Sequence, residues 1–226
     1  MRLYLASTSP ARLTTLRAGG IEPVVLPSQV DEDAAVVAAA PESTAEMVLL
    51  LARLKAEAVA GRDGTGQLGG AGRIDDAGRL DGFILGADSA FELDGIGYGK
   101  PHTAAVARER WQLQRGRTGL LHTGHWLIDH RAGRGLNGDG AAFPAAGAVS
   151  TASVTFAENI SDDEIDSYIA TGEPLEVAGA FTIDSLGAPF ISSITGDPHA
   201  VVGLSLATLR ELFVGFGVSW PELWNR

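Results

Sequence analysis

The residues best able to do chemistry are a handful of cations and carboxylates placed at turns between short apolar runs. Leu5-Ala6-Ser7-Thr8-Ser9-Pro10-Ala11-Arg12 is a strand turning into a helix. Free backbone amides, the hydroxyls of Ser7 and Ser9 and the Arg12 guanidinium converge there, an arrangement that attracts anions. Spacing alone also describes an ordinary capped helix with a solvated Arg12. Val30-Asp31-Glu32-Asp33 sets three carboxylates in a row after Pro27-Ser28. It reads as the edge of a strand, where hard divalent cations are commonly held, although acid runs are more often solvated loops. Asp88, in Gly86-Ala87-Asp88-Ser89, follows the apolar run Phe83 to Ala87. A carboxylate just past the carboxyl end of a strand is placed to bind metal or take a proton, or else to cap a turn.

Lys55 lies four residues beyond Leu51, at the border of an apolar helix face, from which it either snorkels to water or reaches into a cleft. Lys100 sits in the glycine-lined Gly97-Tyr98-Gly99-Lys100-Pro101, but Pro101 stands where a Walker loop needs Ser or Thr. Gly64, Gly66 and Gly69 match G-x-G-x-x-G, yet they follow a helix in low-complexity sequence, so no dinucleotide site is expected. His122 and His125 leave opposite faces of a strand and do not share one metal ion.

The whole chain narrows the class. It has 226 residues, an apolar share of 45% and a net charge of −11, so a sizeable core is affordable while nucleic acid and anionic membranes are disfavoured partners. It has no cysteine, which removes disulfides, thiolate nucleophiles and sulfur-ligated zinc. No apolar run approaches the ~20 residues of a membrane span, and no signal peptide is visible, so a cytoplasmic location is expected.

The elements that must position these residues alternate along the chain. Leu3 to Ala6 is a short strand; Ser9-Pro10 opens a helix ended by Gly19-Gly20. Ser43 and Glu46, at capping-box spacing, open a second helix running to about Ala60. Phe83 to Ala87 and Leu120 to Ile128 are strands, with a helix over Thr103 to Arg115 that turns Trp111 inward. Ser150 to Phe156 alternates as a strand, Ser161 and Glu164 box another helix stopped near Gly172, and a last helix covers Leu204 to Phe213. Gly-rich stretches near 61–82 and 131–147 are expected to be loose surface excursions from a single 1–226 domain. The alternation favours an α/β sheet covered on both faces, with an antiparallel hairpin possible within Leu120 to Phe156.

In order along the chain, these segments resemble the Maf family of nucleoside triphosphate pyrophosphatases. The resemblance rests on Leu5 to Arg12, Val30 to Glu32, Leu51 to Ala56, Gly86 to Ser89, Gly99-Lys100-Pro101 and Gly116-Arg117-Thr118 with Thr123-Gly124. It continues through Tyr168 to Phe181, including Gly172-Glu173-Pro174, and closes on Val202-Gly203-Leu204. It implies a mixed α/β sheet with flanking helices, two lobes around a central cleft, an ITPase-like architecture and a homodimer. It also implies hydrolysis of a nucleoside triphosphate to monophosphate and pyrophosphate. In that reading Glu32 and Asp88 hold Mg²⁺ or Mn²⁺, Asp88 also activates water, and Ser7, Ser9, Arg12, Lys55 and Lys100 meet the phosphates. Two departures stand out. Ala11 replaces the first of two arginines, and Asp184 replaces a glutamine in Thr182-Ile183-Asp184-Ser185. An amide that donates and accepts has become an acceptor-only carboxylate, which suits a guanine-like edge bearing two donors. The competing readings are a nucleotide-binding regulator of cell division that cuts nothing, and a phosphohydrolase releasing diphosphate and phosphate.

Overall fold

The computed structural model describes residues 1–61, 80–131 and 143–225. The Gly-rich excursions expected near 61–82 and 131–147 lie mostly outside them. The strands are β1 (Leu3–Leu5), β2 (Val24–Val25), β3 (Gly82–Leu93), β4 (Ile96–Tyr98), β5 (Thr118–His130), β6 (Ala145–Phe156) and β7 (Ile191–Thr195). The helices are α1 (Pro10–Ala18), α2 (Glu32–Ala39), α3 (Thr44–Ala60), α4 (Ala104–Gln114), α5 (Asp162–Ala170), α6 (Pro198–Val202) and α7 (Leu206–Gly215). Short 3₁₀ turns at Glu173–Glu176, Ala178–Ala180, Ala188–Phe190 and Trp220–Leu223 fill the C-terminal third.

Among the described residues the strands form one seven-stranded mixed sheet in the order β2-β1-β3-β5-β6-β7, with β4 paired to β3. β1 runs parallel to β2 and β3; β3, β5, β6 and β7 pair antiparallel in sequence. The hairpin foreseen within Leu120 to Phe156 is therefore the long β5–β6 pair, beginning earlier on both strands than the sequence suggested. Polarity hid those ends: Thr118 and the alanines from Ala145 carry no apolar alternation but are fixed by ladder bonds to their neighbours.

Side-chain alternation divides the sheet. Leu85, Ala87 and Leu127 pack with Leu16 of α1 and Leu209 and Phe213 of α7. Farther along the same face, Phe91 and Leu121 pack with Trp111 of α4 and Ile165 and Tyr168 of α5. Ser89, Thr123 and His125 lie between these two apolar clusters, a polar seam separating two lobes. The opposite face is covered by α3, whose Ala56 and Val59 join Ile84 and Ile128.

Two glycines let α3 settle directly on the backbone of that face. A Cβ on Gly86 would strike the carbonyl oxygen of Ala52, and one on Gly124 the carbonyl oxygen of Val48. Gly124 pairs with Asp88 across the β3–β5 ladder, so the contact that seats α3 lies beside the carboxylate. Gly124→Ala should push the helix outward, destabilising the protein by about 1–3 kcal/mol and costing at least about tenfold in turnover. Urea unfolding and initial rates check this, and a variant as stable and as fast as the parent contradicts it.

Candidate active site

The site begins where an edge strand is missing. β1 pairs with Phe83 to Leu85 of β3 and β4 with Phe91 to Leu93, so among the described residues no strand flanks Gly86 to Ala90 on that side. The backbone leaves β1 at Ala6, whose amide donates to the Leu85 carbonyl at 2.8 Å, and turns through Ser7 to Ser9 into α1. The start of α1 is thereby delivered to the gap.

Arg12 holds that corner. Ser9 caps α1 by accepting from the Arg12 amide at 3.4 Å, with Pro10 in the first turn, as the sequence led us to expect. The guanidinium is buried, donating Nε to the Gly203 carbonyl at 2.9 Å, Nη1 to Ser7 Oγ at 3.1 Å and Nη2 to Ser89 Oγ at 3.2 Å. Ser7 Oγ also accepts from the Ser9 amide at 3.2 Å. Burial lowers the Arg12 pKa, while Asp88 and then Glu32 pull it back up, and a guanidinium stays charged regardless. Of its five N–H groups three are used in these bonds, leaving donors for an incoming anion.

On the other face, Lys55 Nζ lies 2.6 Å from Asp88 Oδ1 and 2.8 Å from Glu32 Oε1. Lys55 is drawn inward because Leu51, Ala52, Ala56 and Val59 share the buried face of α3. Burial raises the Asp88 pKa, opposed first by Lys55 and then by Arg12; the balance leaves the carboxyl above its usual range. A basic, buried carboxylate held by one ammonium suits proton abstraction from water.

Two local expectations need correction. Asp88 is not at the end of β3 but in its middle, paired with Gly124, and the strand continues to Leu93. Asp88-Ser89 interrupts the apolar run because the polar seam and the open edge lie there; what ends nearby is β1. Glu32 is likewise not at a strand edge. Asp31 caps α2 by accepting from the Ala34 amide at 3.0 Å, and Glu32 is the first helical residue. Three acids in a row favour a helix N-terminus, where the macrodipole stabilises them.

The remaining sequence-derived residues stand apart. Lys100 is exposed, 3.6 Å from Glu176, and Asp184 is exposed in the turn after Phe181. Neither makes a hydrogen bond or ion pair with Arg12, Lys55, Glu32 or Asp88 among the described residues. The structure adds Ser89 and Thr123, which share a hydroxyl contact at 2.9 Å, Thr123 also donating to the Ala200 carbonyl at 2.7 Å. Their alternation with Asp88 and Gly124 was the available signal. His122 and His125 do leave opposite faces: His122 meets Thr151 Oγ1 at 2.9 Å, and buried His125 accepts from the Ser205 amide at 2.9 Å. Burial and then Arg12 lower His125 to about 4, so it is neutral at physiological pH.

Among the described residues no cluster of three or more His, Asp or Glu side chains could hold a metal ion by itself. Asp88 and Glu32 nonetheless converge on one point, and Lys55 engages one oxygen of each. Two carboxylates with one oxygen apiece to spare fit an ion such as Mg²⁺, which takes one or two carboxylates and completes its shell with substrate phosphates and water.

A family model described as Maf-like protein matches residues 2–216. The chain is 59% identical over 230 residues to a nucleoside triphosphate pyrophosphatase of Leifsonia xyli subsp. xyli, covering 100% of this chain and 98% of that protein. Proteins of the same description from Salinispora tropica and Corynebacterium diphtheriae are 48% and 43% identical; the matches cover 100% of this chain and 88% and 99% of theirs. A partial likeness to the structure of the Staphylococcus aureus Ham1 protein has a TM-score of 0.38 and 15% identity, over 70% of this chain and 73% of that one.

Proposed function

The chain belongs to the Maf-like protein family, and from that premise we propose that it hydrolyses nucleoside triphosphates between the α and β phosphates, releasing a nucleoside monophosphate and pyrophosphate. The observation that carries the reading is the meeting of Asp88 and Glu32 on buried Lys55, next to the gap in the sheet edge that Arg12 guards. The relatives' names describe an enzyme, and no contact favours the regulator that holds a nucleotide without cutting it.

Asp88 takes a proton from a water molecule as the water oxygen bonds to the α-phosphorus. The bond from that phosphorus to the α–β bridging oxygen breaks, and its electron pair leaves with pyrophosphate. Lys55 keeps Asp88 oriented and, with a third N–H to spare, can also donate to a phosphate oxygen. Arg12 and the start of α1 meet charge developing on the phosphates, with Ser7 and Ser9 fixing that corner. Lys100 reaches the distal phosphates by leaving Glu176, a surface contact at 3.6 Å that holds it weakly. Glu32 and Asp88 would hold Mg²⁺ or Mn²⁺, which when bound would neutralise phosphate charge and polarise the α-phosphorus.

The test is incubation of the purified protein with Mg²⁺ and a panel of triphosphates, followed by chromatographic identification of products. Monophosphate plus pyrophosphate is expected. Diphosphate plus phosphate, or intact nucleotide, would refute the reading. Within the panel, Asp184 as an acceptor-only group favours guanine or a methylated guanine, and Asp184→Gln should reduce that preference about tenfold or more. UTP and dTTP as the best substrates of the parent protein would remove the role given to Asp184.

We further infer a homodimer working in the cytoplasm on free nucleotides and not on nucleic acid, in keeping with the −11 net charge. Among the described residues no helix is long and apolar enough to cross a membrane.

A further inference from the structure

Outside the Asp88 cluster, five donors among the described residues converge on a single carboxylate. Glu173 Oε1 accepts from Tyr168 Oη at 2.9 Å, Thr182 Oγ1 at 2.5 Å and the Gly187 amide at 3.2 Å. Its Oε2 accepts from Ser185 Oγ at 2.7 Å and the Leu186 amide at 3.3 Å. Four of these five donors belong to residues 182–187, which form no strand or helix of their own. Burial alone would raise the Glu173 pKa, but the bonds from Thr182, Ser185 and Tyr168 outweigh it and hold the carboxyl down at about 2. The brace is therefore charged at physiological pH.

The braced turn leaves Asp184 and Leu186 exposed while fixing the residues around them. The stretch that leads into this turn, residues 175–179, is joined to the lysine loop. The Gly179 amide donates to the Gly99 carbonyl at 3.2 Å, the His102 amide donates to the Leu175 carbonyl at 3.0 Å, and Glu176 faces Lys100. A rigid turn that displays one acceptor and one apolar side chain, tied to a phosphate-seeking lysine, has the composition of a nucleobase subsite. A turn left to order itself on binding would subtract that cost from affinity.

We propose that Glu173 is a positioning residue that preforms the 182–187 turn for recognition of the substrate's base. It touches neither the phosphates nor the reacting atoms. The proposal rests on the triphosphate reading above. Its signature is a rise in KM with little change in kcat, because uniform binding is lost while the Asp88 chemistry is not.

The experiment compares the parent with Glu173→Ala and Glu173→Asp. It measures kcat and KM across the triphosphate panel, and amide hydrogen exchange at Leu186 and Gly187. Glu173→Ala is expected to raise KM for the preferred nucleotide about tenfold or more, keep kcat within about threefold and flatten discrimination between bases. Faster exchange at Leu186 and Gly187 should accompany this, with partial recovery of both effects in Glu173→Asp. Ser185→Ala removes one donor from an exposed position, and a smaller shift in the same direction serves if Glu173→Ala does not fold. Faster exchange with unchanged KM and base preference would overturn the proposal, as would equal loss of kcat and kcat/KM. Failure of the parent protein to form monophosphate and pyrophosphate would instead refute the underlying activity, a result visible before any variant is made.

Discussion

Asp88→Asn is expected to lose about three orders of magnitude or more in kcat, close to 4 kcal/mol of transition-state stabilisation, while remaining folded. The amide keeps the volume of the carboxylate and removes only its capacity to take a proton and to hold a cation. Lys55 retains its contact with Glu32 at 2.8 Å, so no charge is stranded inside the protein. The parent enzyme should show a limb of rising rate as Asp88 loses its proton. Because burial dominates over Lys55 and Arg12, that limb should lie at higher pH than the ordinary carboxyl value of 3.8. The variant should lack the limb altogether. Retention of more than about a tenth of parental turnover, or an unchanged pH profile, would take Asp88 out of the role of base.

Lys55→Met is the second large effect, and here stability and activity move together. Removing the ammonium leaves Asp88 buried with Glu32 as a like-charged neighbour and Arg12 as its remaining partial compensation. Breaking a buried pair of this kind commonly costs about 3–5 kcal/mol, and turnover should fall at least about a hundredfold. The pH dependence has a definite sign. Asp88 already titrates above its unfolded value, and loss of Lys55 raises it further. The folded variant then binds more protons than its unfolded chain, so its stability falls as pH rises. The gap in urea midpoint between parent and variant should widen as pH rises above the ordinary carboxyl value of 3.8. A gap independent of pH would mean that Asp88 is not the group stranded by the substitution.

Much of the local structure was legible in single residues. Ser9-Pro10, Ser43 with Glu46, and Ser161 with Glu164 each predicted a helix start, and each serine caps the helix expected of it. Glu164 completes its box by accepting from the Ser161 amide at 2.8 Å, whereas Glu46 reaches back to Glu42 at 2.9 Å. Caps are readable because they are satisfied within three or four residues, by bonds that no distant segment needs to supply. Strand lengths were not readable in the same way. β3 extends six residues past Ala87 because β5 bonds to it from across the sheet, and nothing within 82–93 announces that partner.

The same division governs the site. Residue type and order pointed to Ser7, Ser9, Arg12, Glu32, Lys55, Asp88, Lys100 and Asp184 and to a phosphate-directed chemistry, and the structure gathers the first six while leaving Lys100 and Asp184 exposed and apart. Glu173 drew notice within a motif, but its purpose depends on donors nine to fourteen positions away that share no helical or strand period with it.

The order of charged and capping residues along the chain thus determined five of the seven helices of the described residues, the mixed α/β class and the family, because each signal is local and additive, whereas α2 and α6 appeared only in the structure. Tertiary structure alone decided that Lys55 and Asp88, 33 positions apart, would meet at 2.6 Å in the interior. It also decided that β1 would stop short and leave the edge of β3 open beside them. Those outcomes depend on the register of strands and on a helix resting against Gly86 and Gly124, which are set by packing across the whole sheet and not by any neighbouring stretch of sequence.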